Sequence, residues 1–364
     1  MITRPTEKNK VSPYFAFFLV SSAQINVGLF GFQRYIAKDV GQDAWLTVLL
    51  VGLAVHLLIW ICYQILNKGG NDIISIHYDL FGKWIGGLLN FIIILYFLVL
   101  VIIWTRTYVE VIQVWMTPFI NQGWIVGLIL ILAYYYVSGG FRVVTGLTFF
   151  SGIIITIILF TLYFPIKEAH FHNLLPIFDH SINDQFNAMK EMVYSYLGFE
   201  FILIFYPFLG QPKKSQKWSH LGVSFTMLIY TAFIIVSLAY YNLDQLYHTV
   251  WATLTLWQEI KLPFIERFEY VGISLWLFLV LPGICLGLWA SSRSLKKIFH
   301  VNQHIALLIL ICIVFIVSNL IIDRQQINMY TKLIRNIGAY IIFLYIPLLF
   351  LIQAIVYKVR KNKK

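Results

Sequence analysis

Charge is scarce in this chain. Of its 364 residues only 12% are charged and 60% are hydrophobic, with a mean hydropathy of +0.78. Soluble domains carry about 25% charged residues. A water-soluble globular fold is therefore excluded, and a polytopic membrane protein is implied. Cysteine is almost missing: Cys62, Cys285 and Cys312 each fall inside an apolar run. An odd set without a CxxC spacing supplies neither a disulfide framework nor a thiol metal or redox pair. Catalytic signatures are lacking as well. No glycine-rich phosphate loop opens a helix, and neither HExxH nor Gly-x-Ser-x-Gly occurs. No pair of acids is placed for glycoside chemistry. An enzyme is not expected, nor is a cofactor or a metal.

What is abundant is apolar sequence in lengths of about 20 residues, the length that crosses roughly 30 Å of hydrocarbon. Ten such spans are expected, at 13–36, 44–66, 84–113, 122–138, 143–165, 187–209, 219–241, 265–290, 304–322 and 335–357. They leave no room for a soluble domain, so residues 1–364 read as a single transmembrane domain with halves at about 13–165 and 187–357. The basic N-terminal start lacks a small-x-small cleavage site, and the first span reads as retained. Acids are fewer than bases, sixteen against 27, for a net charge of +11. Segments on the side of the N-terminus, including Arg4, Lys8, Lys10, Lys213, Lys214, Lys217 and Lys358–Lys364, hold 17 of the 27 Lys and Arg residues and three of the acids. Both termini are expected in the cytoplasm, and the basic excess reads as a topology signal with no nucleic-acid partner. The basic tail can also touch anionic lipid.

The sixth span carries the most informative residue. Glu200 lies within Tyr196-Leu197-Gly198-Phe199-Glu200-Phe201, flanked by lipid-grade sequence. A carboxylate at the centre of a membrane helix costs at least about 2.5–3.5 kcal/mol, so it faces a cavity or a partner. Gly198 weakens the helix at the same depth. The first span is interrupted in the matching place by Gln24-Ile25-Asn26-Val27-Gly28-Leu29-Phe30-Gly31. Paired interruptions in two five-helix halves point to a transporter-type central site. Unwound backbone there offers N–H groups to a carboxylate and carbonyls to an ammonium group, a pair that suits a small zwitterion such as an amino acid. The candidate ligand-binding residues are Gln24, Asn26, Val27, Gly28, Phe30, Tyr196, Gly198, Phe199 and Glu200. Two plainer readings stand beside this one. Glu200 is a protonated structural acid bonding a neighbouring helix, and the glycines serve close helix packing.

Three stretches carry a resemblance. They are Ser12-Pro13-Tyr14-Phe15, the run Gln24 to Gly28 leading to Arg34, and Ala37-Lys38-Asp39-Val40-Gly41-Gln42-Asp43-Ala44-Trp45. With Gly198-Phe199-Glu200 and Pro207-Phe208 they resemble the B subunits of nutrient germinant receptors from endospore-forming bacteria, a branch of the amino acid-polyamine-organocation permeases. The resemblance implies an all-α membrane fold with ten helices in a five-plus-five inverted repeat, the first and sixth broken. It also implies receptor A and C subunits as partners in the spore inner membrane, and a small nutrient as ligand. Many relatives carry glycine at Asn26 and proline at Gln33. Asn26 adds an amide donor and acceptor to the site, and Gln33 lets the outer half of the first span run on.

Other features are read more plainly. The fifth span holds no charged residue from Val143 to Pro165, and the eighth has Ser274 within it and Ser291 and Ser292 at its end. Ion coupling would rest on Glu200 alone, which favours a ligand-responsive subunit over an ordinary permease of the same fold or a non-binding scaffold. Spans three and eight are expected to wall the site. Arg106 and Glu110 are expected to pair along one helix face or snorkel. His56, Asn90, Asn319 and Gln353 read as interhelical hydrogen bonds. Short helices are expected at 71–83 and 244–262, and His170, His172 and His180 read as loop residues.

Overall fold

Helix boundaries follow the polar residues between apolar runs. The computed structural model describes residues 7–362; Arg4, Lys363 and Lys364 lie outside them. Among the described residues there is no β-strand, only the isolated bridges Val11 with Leu209 and Leu262 with Ile265. Asp72, Asn121, Asn302 and Asp323 each accept a backbone N–H at the start of a helix, and Gly70 ends one at φ 65°. These are the donors and turns that helix ends require.

The first span is Phe15–Gln24 and Phe32–Val40 with an irregular stretch between, and Ala44–Gly69 returns as the second. Ile73–Trp115 is a 43-residue helix interrupted only at Gly82, where φ is 72°. Its turns before Gly82 form the short helix expected at 71–83, and the rest is the third span. Gln122–Ser138 and Phe141–Phe160 are the fourth and fifth. The sixth is Ile182–Tyr196 followed by Phe199–Phe208. Gln216–Tyr240, Phe268–Phe299 and Gln303–Leu320 are the seventh to ninth, and Arg324–Asn362 is the tenth. Among the described residues seven helical stretches are long and apolar enough to cross a membrane unaided; Phe15–Gln24, Gln122–Ser138 and Phe199–Phe208 are shorter apolar helices. Two of those three are the halves of broken spans, which is why length alone undercounts the crossings.

The breaks sit in the middle of the protein. The eighth span packs against the third and is 72% buried over its most apolar window, whereas the ninth and tenth are 28% and 22% buried. The last two therefore form a lipid-facing flank, and spans one, three, six and eight form the interior. Lys10 and Gly70 line one cavity on one face with Lys213, and Arg360 bonds Asp79 there. That face carries both ends of the described chain and is called the terminal face below; the opposite one is the far face. Two details differ from expectation. The far-face helix expected at 244–262 is two short helices, Leu243–His248 and Ala252–Trp257, parted near Trp251. Arg106 and Glu110 take separate partners: Arg106 donates to the carbonyls of Ile321 and Ile322 at 2.6 and 2.8 Å, and Glu110 accepts from Arg324 at 2.7 Å. Arg106 thereby caps the end of the ninth span, whose last carbonyls need donors.

Of the four residues read as interhelical bonds, His56 reaches His220 at 2.9 Å and Gln353 reaches the Ile65 carbonyl at 3.1 Å. Asn90 holds His77 and the Ile74 carbonyl across the Gly82 kink, and Asn319 bonds within its own helix. Cys62 and Cys285 are buried and Cys312 is on the lipid-facing flank.

Candidate functional site

Both interrupted spans lose their winding where they touch. In the first, Ile25 leaves the helix and Asn26 turns extended, its Oδ1 accepting the Val27 N–H at 2.8 Å. A short 3₁₀ turn, Val27–Phe30, follows before the helix resumes. In the sixth, Leu197 is extended and Gly198 adopts φ 114°, a region that strongly favours glycine. The close approach explains the residue types. A Cβ on Gly198 would stand 2.6 Å from the Ala23 carbonyl oxygen, and one on Gly28 would stand 3.2 Å from Ser195 Oγ. Gln24 Nε2 donates to the Tyr196 carbonyl and the Tyr230 hydroxyl donates to the Gln24 carbonyl, both at 3.1 Å. The first break thus satisfies a carbonyl of the second, and the seventh span satisfies one of the first, as buried peptide groups require.

Glu200 belongs to this joint. Its side chain is 1% exposed, Oε2 accepts the Gly198 N–H at 2.8 Å, and Oε1 accepts the Tyr96 hydroxyl of the third span at 2.5 Å. The carboxyl group therefore satisfies a donor that the break sets free and ties that break to a neighbouring helix. This is the arrangement of the plainer reading, a structural acid bonded across helices.

A cavity of about 360 Å³ opens at the far face and ends at the breaks. Val27, Gly28 and Ser195 line its deep end together with Thr107 and Tyr194. Thr107 Oγ1 and the Tyr194 hydroxyl are shielded from solvent and have no well-formed hydrogen bond within the protein. The mouth is ringed by Arg34, Lys38, Arg324, Lys332 and Arg335, with Asp39 and Glu191 as the acids. Arg324 bonds Glu110 and lies 4.5 Å from the ring centre of Trp251, and Arg335 bonds Glu191. Spans one, six and ten form most of the wall. Span three contributes Thr107, as expected, but no residue of the eighth span lines the cavity, which corrects that half of the expected wall. The eighth span instead backs the first break, with Gly283 against the Asn26 amide nitrogen.

The sequence-derived candidates divide accordingly. Val27 and Gly28 line the cavity. Gln24, Tyr196, Gly198 and Glu200 hold the joint, Tyr196 also donating to the Val48 carbonyl at 3.0 Å. Asn26 Nδ2 and Gln24 Oε1 are buried without a partner in the protein. Phe30 is fully buried 4.4 Å from the Trp276 ring, and Phe199 is fully buried. Sequence reading missed Thr107, Ser195 and the tenth-span cations. Ser195 adjoins the candidate Tyr196 in the chain. Arg324 and Arg335 gave no signal, since basic residues at a span end read as ordinary interface anchors.

The stretch Ala37–Trp45 also has a physical role. Asp43 is 2% exposed and accepts the N–H groups of Phe178 and Asp179 at 2.7 and 3.0 Å, with His180 Nδ1 at 3.2 Å. Gly41, at φ 46°, packs against the same His180 ring. The motif anchors the loop between spans five and six over the far face. Among the described residues no group of three or more His, Cys, Asp or Glu could hold a metal ion.

Comparison with known proteins agrees with this architecture. A family model described as spore germination protein matches residues 10–327. Spore germination protein GerQB of Bacillus cereus is 43% identical over 352 residues, covering 97% of this chain and 98% of that protein. Spore germination protein B2 of Bacillus subtilis (strain 168) is 24% identical over 289 residues, covering 78% of each. Among solved structures, a substrate-bound, outward-open Na⁺-coupled sialic acid symporter superposes with a TM-score of 0.70 over 93% of this chain and 78% of its own, at 14% identity. That likeness speaks for the fold alone.

Proposed function

We propose, for a chain that belongs to the spore germination protein family, the role of the multi-pass membrane subunit of a nutrient germinant receptor. A small nutrient, an amino acid being the simplest candidate, enters from the far face and settles where the two broken spans meet. The observation that carries this reading is the end of the cavity at Val27, Gly28 and Ser195, one residue set from each break. Thr107 Oγ1 and the Tyr194 hydroxyl are the polar groups there with capacity to spare. A ligand that binds the two arrangements of these helices with different affinity shifts the balance between them, and that shift is the signal. Receptor A and C subunits are the partners that would read it, in a spore inner membrane with both termini in the cytoplasm and residues 1–364 acting as one transmembrane domain.

The test is Ser195→Leu, which fills the deep end of the cavity, in spores that hold wild-type amounts of the receptor. The nutrient concentration for half-maximal germination rises at least about tenfold, the loss of one good contact. An unchanged dose–response would reject the site. An ordinary permease of the same fold is separated by flux: solute uptake by this chain alone in liposomes would establish transport.

A further inference from the structure

We propose that a second cavity, on the terminal face, binds a phosphate-class anion. The cavity measures about 310 Å³ and gathers Arg142 from the start of the fifth span, Arg293 and Lys296 from the end of the eighth, and His304 from the start of the ninth. Among the described residues no Asp or Glu lines it, and none of these four has a carboxylate within 4.0 Å. Two other basic side chains on this face do find acids: Lys297 bonds Asp72 at 2.6 Å and Arg360 bonds Asp79 at 2.9 Å. Arg142, Arg293 and Lys296 bring like charge to one concavity, and an anion between them offsets part of their repulsion.

The backbone points the same way. Two helices begin at this cavity, at Phe141 and Gln303, so their positive ends face it. Gly140, before the first, has no side chain to cap the free N–H groups. Ser138 Oγ, also in the lining, is shielded and without a partner. Guanidinium groups, free helix N–H groups and a hydroxyl make the donor set that phosphate oxygens accept from. The deep wall is aromatic: the rings of Phe141, Phe208 and Trp289 lie 4.5–5.2 Å apart, and the Arg293 guanidinium sits 5.3 Å over Phe208. Phe208 ends the sixth span. An anion bridging Arg142 and Arg293 therefore locks the fifth and eighth spans around the terminal-face end of the broken helix, and favours the arrangement in which those three rings are packed.

Two sources supply this chemistry, the phosphate of an anionic phospholipid and a soluble phosphate. The test uses the full chain in nanodiscs of phosphatidylcholine, of phosphatidylcholine with phosphatidylglycerol, and of phosphatidylcholine with added inorganic phosphate. Thermal midpoint and lipid retention by native mass spectrometry are read for the wild type, Arg293→Gln and Arg142→Gln, with Arg360→Gln as a basic control outside the cavity. The wild type and Arg360→Gln gain stability from the anion. Each cavity variant binds it about tenfold or more weakly, the worth of one charge-assisted hydrogen bond. If Arg293→Gln does not fold, Arg142→Gln, more exposed, carries the comparison. A gain confined to phosphatidylglycerol assigns a lipid headgroup, and an equal gain from inorganic phosphate assigns a soluble ligand. No gain from either, or a gain that both cavity variants keep in full, overturns the proposal.

Discussion

Replacing Glu200 separates a joint-holding acid from a ligand-binding one. The side chain receives two hydrogen bonds, from the Gly198 N–H at 2.8 Å and the Tyr96 hydroxyl at 2.5 Å, at a position 1% exposed. Glu200→Ala strands both donors where no water reaches them. Each unsatisfied buried donor costs about 1–3 kcal/mol, and the lost methylene adds about 1 kcal/mol. A total of about 3–7 kcal/mol follows, a large share of the stability of a typical domain. Glu200→Gln keeps one oxygen for the Gly198 N–H and turns its amide toward the Tyr96 oxygen, so about 1 kcal/mol is expected. Tyr96→Phe loses a single bond and should cost about 1–3 kcal/mol. The assay is thermal unfolding of the purified protein in nanodiscs, paired with nutrient dose–response in spores matched for receptor level. The expected order of stability is wild type, then Glu200→Gln, then Tyr96→Phe, with Glu200→Ala far below, and Glu200→Gln still responds to nutrient. A stable, fully folded Glu200→Gln that cannot respond would refute the reasoning, because the acid would then be acting on the ligand or on a proton.

Two further outcomes follow from the same joint and its cover. Gly198→Ala places a methyl group 2.6 Å from the Ala23 carbonyl oxygen at a φ of 114°; a loss of about 1–3 kcal/mol from backbone strain, plus the clash, should lower the unfolding midpoint and the receptor level in membranes. Asp43→Ala removes the acceptor for Phe178, Asp179 and His180; limited proteolysis from the far face should then cut within 166–181 several times faster, with the transmembrane core intact by circular dichroism.

Much of this was legible because membrane physics writes itself into sequence. Ten apolar runs gave the spans to within a few residues at most ends, and the kink before the third was foreshadowed by the amphipathic stretch before Gly82. The breaks were legible through Gly28, Gly31 and Gly198, since glycine at mid-membrane depth marks irregular backbone or close approach. What the joint is made of was harder to see. Nothing in the sequence says that Glu200 turns back onto the N–H of Gly198, two residues before it, or that Tyr96, about a hundred positions earlier, meets it. The cavity wall was misjudged for a related reason. Arg324 and Arg335 look like interface anchors at the head of a peripheral helix, and only the fold brings that helix over the mouth. Trp251 was read as part of one helix, whereas the chain breaks there and sets the ring against Arg324.

The central claim is that a solute reaches the meeting point of the two breaks from the far face. The most direct measurement is thiol accessibility of Ser195→Cys in a background with Cys312 replaced by serine, the two remaining cysteines being buried. In proteoliposomes, a small membrane-impermeant anionic methanethiosulfonate should modify Cys at position 195 from the far face, faster than a cationic one of equal size because of the basic mouth, and the germinating nutrient should protect it. No modification from that face, or modification at the same rate with and without nutrient at saturating concentration, would contradict the account.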